Sequence, residues 1–171
     1  MLRAGTITEG DWAELQSCIV RSSGHCMTMG TASTMATIGE ALGMALPGNA
    51  AIPAVDSRRK QMAEAADRQI VALSQTDLKP SKLMTQSAFE NAIRCVHAIG
   101  GSTNSIIHLI AIAGRVGIDL PLELFDELSK TTPFLLNLKP SGQYLMEDFY
   151  YAGGVPALMN RKIGRASCRE R

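Results

Sequence analysis

Cys26 is the side chain best placed to do bond chemistry, because it stands in Gly24-His25-Cys26-Met27-Thr28-Met29-Gly30-Thr31-Ala32-Ser33-Thr34-Met35, a glycine-flanked loop ahead of an expected helix. A helix start offers unpaired N–H groups and the positive end of the macrodipole. Both lower a nearby thiol's pKa and suit it to act as a nucleophile or metal ligand. The structural alternative is a cysteine packed as a small hydrophobe. Gly24 and Gly30 are expected to hold positive-φ backbone or to admit a ligand closely, and Thr31, Ser33 and Thr34 offer hydroxyls for a helix cap. His25, beside the sulfur, is a candidate to bind substrate or to tune the thiol.

A second loop, Gly100-Gly101-Ser102-Thr103-Asn104, repeats this design. Its glycines allow close approach, and Ser102, Thr103 and Asn104 supply hydroxyl and amide groups at a helix start, a cradle for a carboxylate or hydroxylated substrate. The alternative is a plain helix-to-helix turn with a cap. His97 and His108 show no paired metal-ligand spacing and sit in apolar helical stretches, which predicts near-core positions for both. Glu147 and Asp148 are adjacent, so they leave a helix on different sides and read as a surface pair.

The elements that position these loops read as helices joined by short turns, with little strand alternation. Thr8 caps a first helix running to about Ile19. Met35, Ile38, Leu42 and Ala45 recur at helical spacing until Pro47-Gly48. Asp56 caps a helix whose stripe of Met62, Ala66, Ile70 and Leu73 opposes a charged face. Ser87 to Glu90 has the form of a capping box ahead of Phe89, Ile93 and Val96. Further segments carry Ile106, Ile107, Ile110 and Ala113 to near Gly117, then Leu122 to Lys130 behind Pro121. Lys139 to Gly142 reads as a turn and Met146 to Tyr151 as a last helix before Gly153-Gly154. Methionines at these spacings are expected to fill core space.

The chain of 171 residues, 46% apolar with formal charge +1, has the composition of one ordinary globular domain. Aromatic residues make up 5% of the chain and no basic stripe interleaves with them, so nucleic-acid binding is not expected. No apolar run reaches membrane-spanning length and no signal-peptide pattern opens the chain, which points to a reducing, cytoplasmic setting. Cys18, Cys26, Cys95 and Cys168 are too few and too irregular for a disulfide framework, and there is no C-x-x-C. Cys26 would therefore ligate metal only with partners from elsewhere. Residues 162–171 break the pattern and back-translate into a common sequencing-adapter read, so they are expected to be a non-native tail on a chain that naturally continued past Arg161. Without the four cations and one anion of that tail, the formal charge of +1 becomes −2.

From about Gly5 to Arg161 the chain resembles the IlvD/Edd dehydratases, which include dihydroxy-acid, phosphogluconate and pentonate dehydratases. The resemblance rests on Gly24 to Met35, Glu40 to Gly48, Phe89 to Ile93, Gly100 to Asn104, Leu138 to Gly142 and Ala152 to Pro156. His25 to Ala32, Asn49 to Asp56 and Met146 to Tyr151 look like the sugar-acid (arabinonate or xylonate) branch. The branched-chain enzymes more often have Gly-Gly and Ala-Asn in place of Met27-Thr28 and Ala32-Ser33.

This resemblance implies a hydro-lyase converting a 2,3-dihydroxy sugar acid, such as an aldonic acid, to a 2-keto-3-deoxy acid. It also implies an iron–sulfur cluster, [2Fe-2S] or [4Fe-4S], a magnesium ion (Mg2+), and a homo-oligomer. By motif position Cys26 matches the third cluster-ligating cysteine. The other two, the magnesium ligands and the catalytic serine would fall outside this chain. Residues 1–161 then correspond to the later part of an N-terminal α/β domain, mainly helical here, with its parallel sheet mostly upstream, and this stretch is expected to be inactive alone. Cys18 and Cys95 fall outside the cluster motifs and are expected to be structural. The alternatives are a branched-chain dihydroxy-acid dehydratase and, in another class, a non-catalytic helical oligomerisation module.

Overall fold

Hydroxyl and carboxylate caps fix where the helices begin. Thr8 Oγ1 accepts from Asp11 N–H at 3.1 Å while Asp11 Oδ2 accepts from Thr8 N–H at 2.8 Å, closing a reciprocal box at the start of α1, Glu9–Ile19. The computed structural model describes the backbone of residues 1–19 and 23–163, so most of the expected tail lies outside the described residues. The other helices are α2 Thr31–Ala41, α3 Ser57–Leu73, α4 Pro80–Leu83, α5 Gln86–Ile99, α6 Asn104–Arg115, α7 Leu122–Thr131, α8 Met146–Tyr151 and α9 Gly154–Leu158. A π-helical turn, Met159–Ile163, follows. Among the described residues there is no strand, only an isolated bridge between Leu138 and Tyr144. This stretch is mainly helical, as the sequence predicts.

α5 is the centre of the packing. Phe89, Ile93 and Val96 turn to one core with Ile38, Leu109 and Phe125, while Cys95, Ala98 and Ile99 turn to a second with Met29, Phe149 and Val155. Apolar residues wrap far enough round this helix to bury it on both sides, which is why α2 packs chiefly along it. Gly100, at φ 63°, ends α5 in the left-handed region that glycine enters without a Cβ penalty.

The polar residues of α2 are buried with their bonds made. Ser33 Oγ donates to Thr28 O at 2.7 Å, Thr34 Oγ1 to Gly30 O at 2.8 Å and Thr37 Oγ1 to Ser33 O at 3.0 Å. Glu40, 8% exposed, accepts from Gly48 N–H at 2.5 Å and Ala50 N–H at 2.9 Å, tying the 48–50 turn to α2.

Three details depart from the sequence reading. α2 stops at Ala41 instead of reaching Ala45, because Gly43 takes a left-handed conformation two residues on. The cap of α5 is Thr85, whose hydroxyl accepts from Ala88 N–H, so the helix begins one residue ahead of Ser87. The stripe of α3 is not covered among the described residues: Met62 and Leu73 are half-buried, Ala66 and Ile70 exposed. α1 likewise has no buried residue, and Ile19 is 69% exposed.

Asp56 does cap α3, accepting from Arg58 N–H and Nε, each at 2.8 Å, and pairing with Arg58 Nη2. The Arg58 side chain, with its N–H second, pulls the Asp56 carboxyl down from 3.8 to about 2. A depressed carboxyl contributes above its unfolded pKa and loses that contribution as pH falls through the folded value. The start of α3 is therefore expected to loosen as pH falls from about 4 to about 2. The Arg58 amide chemical shift should titrate with that midpoint, and a shift flat through this window would contradict the cap.

Candidate active site

The Cys26 loop is held from both sides. Met27 O accepts from Met146 N–H at 2.8 Å and Met29 N–H donates to Lys139 O at 2.7 Å, so the loop lies between the start of α8 and the 139–142 turn. Gly24 has φ 104°, and a Cβ there would stand 2.6 Å from Ala54 Cβ, which makes glycine a requirement of both conformation and space. Gly30 differs from expectation. At φ −93° and ψ −168° it is ordinary extended backbone, and it serves as the N-cap of α2 with no side-chain cap. The Ser33 and Thr34 hydroxyls, expected as caps, instead bond backward to the loop carbonyls.

Cys26 is exposed, with Sγ 3.0 Å from Thr28 Oγ1. Its thiol is held below the ordinary 9.0 by the Thr28 hydroxyl first and the Thr28 N–H second, against a small opposing effect of burial. The shift runs in the direction the sequence suggests, and its nearest cause is the Thr28 hydroxyl. His25 is exposed, and its Nδ1 lies 2.8 Å from Cys26 O. A carbonyl only accepts, so Nδ1 carries the proton and, in the neutral ring, Nε2 is the basic nitrogen.

The second loop meets the first. Thr31 Oγ1 lies 2.9 Å from Ser102 Oγ and accepts from Asn104 Nδ2 at 3.0 Å, while Ser102 N–H donates to Thr34 Oγ1 at 3.0 Å. Gly101 permits this junction, because a Cβ there would lie 2.9 Å from Thr34 Cγ2. What the glycine approaches closely is α2 itself. Ser102 and Asn104 converge on Thr31, whereas Thr103 is an exposed residue at the N-cap of α6 with no side-chain cap bond. No side-chain hydrogen bond among the described residues joins this trio to Cys26 or His25; what connects them is the short backbone run from Thr28 to Thr31.

The remaining titratable groups serve other ends. Cys95 is buried, and desolvation, with Glu40 nearby, pushes its thiol up to about 12, as suits a structural residue. Cys18 is exposed on α1 and fills no core position. His97 is half-buried with Nε2 3.0 Å from Phe125 O, and burial lowers its pKa. His108 is exposed, contrary to its expected near-core place, because it lies on the outer side of α6 next to the exposed Ile107. Glu147 and Asp148 are exposed, and Asp148 is spent on Leu145 N–H at 2.8 Å.

Sequence reasoning missed Thr28 and Thr31. Thr28, two residues from Cys26, was within hydroxyl reach of the sulfur and could have been found. Thr31 meets Ser102 and Asn104 across separations of 71 and 73 residues, which no local pattern encodes. Among the described residues no group of three or more His, Cys, Asp or Glu could hold a metal ion, and no helix is long and apolar enough to cross a membrane.

The family model for the dihydroxy-acid/6-phosphogluconate dehydratase N-terminal region matches residues 1–166. The chain belongs to the dihydroxy-acid/6-phosphogluconate dehydratase family. It is 60% identical over 166 residues, 97% of its length, to an L-arabinonate dehydratase of Rhizobium leguminosarum bv. trifolii. It is 47% identical over 93% of its length to a dihydroxy-acid dehydratase of Thermodesulfovibrio yellowstonii, and 48% over 92% to one of Caldicellulosiruptor bescii. The chain spans 28% to 29% of the length of these dehydratases.

Proposed function

We propose that this chain forms part of a hydro-lyase that dehydrates a 2,3-dihydroxy sugar acid, an aldonic acid such as arabinonate or xylonate, to a 2-keto-3-deoxy acid. The observation that carries the substrate class is the 60% identity to an L-arabinonate dehydratase, against 47% and 48% for two dihydroxy-acid dehydratases of the branched-chain reading. In the reaction the C2 proton and the C3 hydroxyl leave as water, and the resulting enol tautomerises to the 2-keto acid.

Cys26 is the residue of this stretch that fits an iron–sulfur cluster. Its sulfur is exposed among the described residues, its thiol is shifted below the ordinary value by Thr28, and its loop is fixed by backbone bonds on either side of Thr28. A single thiolate is one donor, so the remaining ligands, the magnesium site and the proton-abstracting base belong to the rest of a protein of the relatives' length. When bound, a cluster with an open iron position supplies Lewis-acid pull on the departing hydroxyl. His25, whose Nδ1 is taken by Cys26 O, would offer Nε2 to a substrate hydroxyl. Ser102, Thr103 and Asn104 stand as the second polar edge of the site, with Thr31 holding Ser102 and Asn104 in place. The setting is cytoplasmic and the assembly a homo-oligomer of the full-length protein.

The full-length protein, purified without air, should turn over pentonates and leave the branched-chain dihydroxy acid essentially untouched. Turnover of the branched-chain acid alone would overturn the substrate class, and turnover of neither would overturn the dehydratase reading.

A further inference from the structure

We propose that Thr28 is a positioning residue for the sulfur that binds iron: its hydroxyl donates to Cys26 Sγ and holds that sulfur in its ligating orientation. The inference rests on the reading of Cys26 as a cluster ligand.

The geometry gives the direction of the bond. Oγ1 and Sγ are 3.0 Å apart, and a sulfur that bonds iron carries no proton, so the hydroxyl alone can donate. The Thr28 backbone is not free to carry the hydroxyl away. Its carbonyl accepts from Ser33 Oγ at 2.7 Å, and the residues on either side are bonded to Met146 and Lys139. Ser33 is 1% exposed, so the loop is anchored in the core while its sulfur faces solvent. Hydrogen bonds to cluster sulfurs also set reduction potential, because they favour the more negative, reduced form.

The test uses the full-length holoenzyme, loaded anaerobically, as wild type, Thr28→Val and Thr28→Ser. Valine keeps the β-branched shape and removes the donor, and serine keeps the donor. Two readouts serve: the rate at which an iron chelator strips the cluster, and the midpoint potential from a redox titration followed by visible absorption. Thr28→Val should lose iron about tenfold faster, at the lower end of what outer-shell partners cost in metal affinity, and its potential should fall. Thr28→Ser should return both towards wild type. A Thr28→Val protein matching wild type in both readouts, or a Thr28→Ser protein as impaired as Thr28→Val, overturns the proposal. Cys26→Ala separates the two levels. If it keeps a full cluster, the ligand reading fails; if it loses the cluster while Thr28→Val behaves as wild type, only the role of Thr28 fails.

Discussion

Cys26→Ala in the full-length protein is expected to lose its iron and to lower kcat/KM by more than about 100-fold, beyond the roughly 10- to 100-fold that outer-shell partners of metal sites cost. The size follows from what is removed. Outer-shell changes weaken a ligand, whereas this one deletes a bond to the metal. Little of the loss should come from misfolding, since Cys26 is exposed and its loop is held by backbone bonds that alanine keeps. The thermal transition should therefore stay near that of wild type apart from the contribution of the bound cluster. Iron analysis alongside steady-state kinetics checks this. Retained iron with near-normal turnover would place the chemistry elsewhere.

The second large effect is on stability. Phe89 is fully buried in the first turn of α5, against the core that Ile38, Ile93, Leu109 and Phe125 share. Phe89→Ala removes the ring's burial and leaves a cavity in rigid surroundings, at a cost of about 3–5 kcal/mol. A typical domain has about 5–15 kcal/mol in all, so this one change takes roughly a fifth of it or more. Ile107→Ala is the matched control: that side chain is 64% exposed, and its loss should stay within about 0.5 kcal/mol. Denaturant midpoints of the two variants should separate widely. Equal midpoints would mean that α5 is not the core of this stretch.

What could be read from the sequence was what depends on near neighbours. The Thr8 and Asp56 caps, the apolar face of α5 and the turn at 139–142 are set by residues a few positions apart, and all were legible. Of the methionines at those helical spacings, Met35 is half-buried against the core of Phe89 and Ile38, and Met62 is half-buried on α3. Errors arose where a distant partner decides. The stripe of α3 was legible too, but periodicity does not name what lies opposite it, and among the described residues Ile70 is 62% exposed. His108 was placed inward from its apolar neighbours, but α6 buries only the side carrying Ser105, Leu109 and Ala113.

The candidate site divides in the same way. Cys26 and both loops stood out from residue types alone, because glycines, a cysteine and hydroxyl side chains gather there at helix starts, although a packed cysteine and a plain capped turn draw on the same residues. That Ser102 and Asn104 share Thr31 could not be seen, because contacts between segments this far apart leave no spacing in one sequence. The downward shift of the thiol also has a nearer cause than the helix start. A helix dipole acts within about one turn of its end, and Cys26 lies five residues ahead of Thr31, so the adjacent Thr28 dominates.

The most direct measurement is an anomalous difference map at the iron edge from crystals of the full-length protein grown without air. The account predicts iron bonded to Cys26 Sγ, with Thr28 Oγ1 still within hydrogen-bond reach of that sulfur. Iron held entirely by other residues, with Cys26 unbonded, would contradict it.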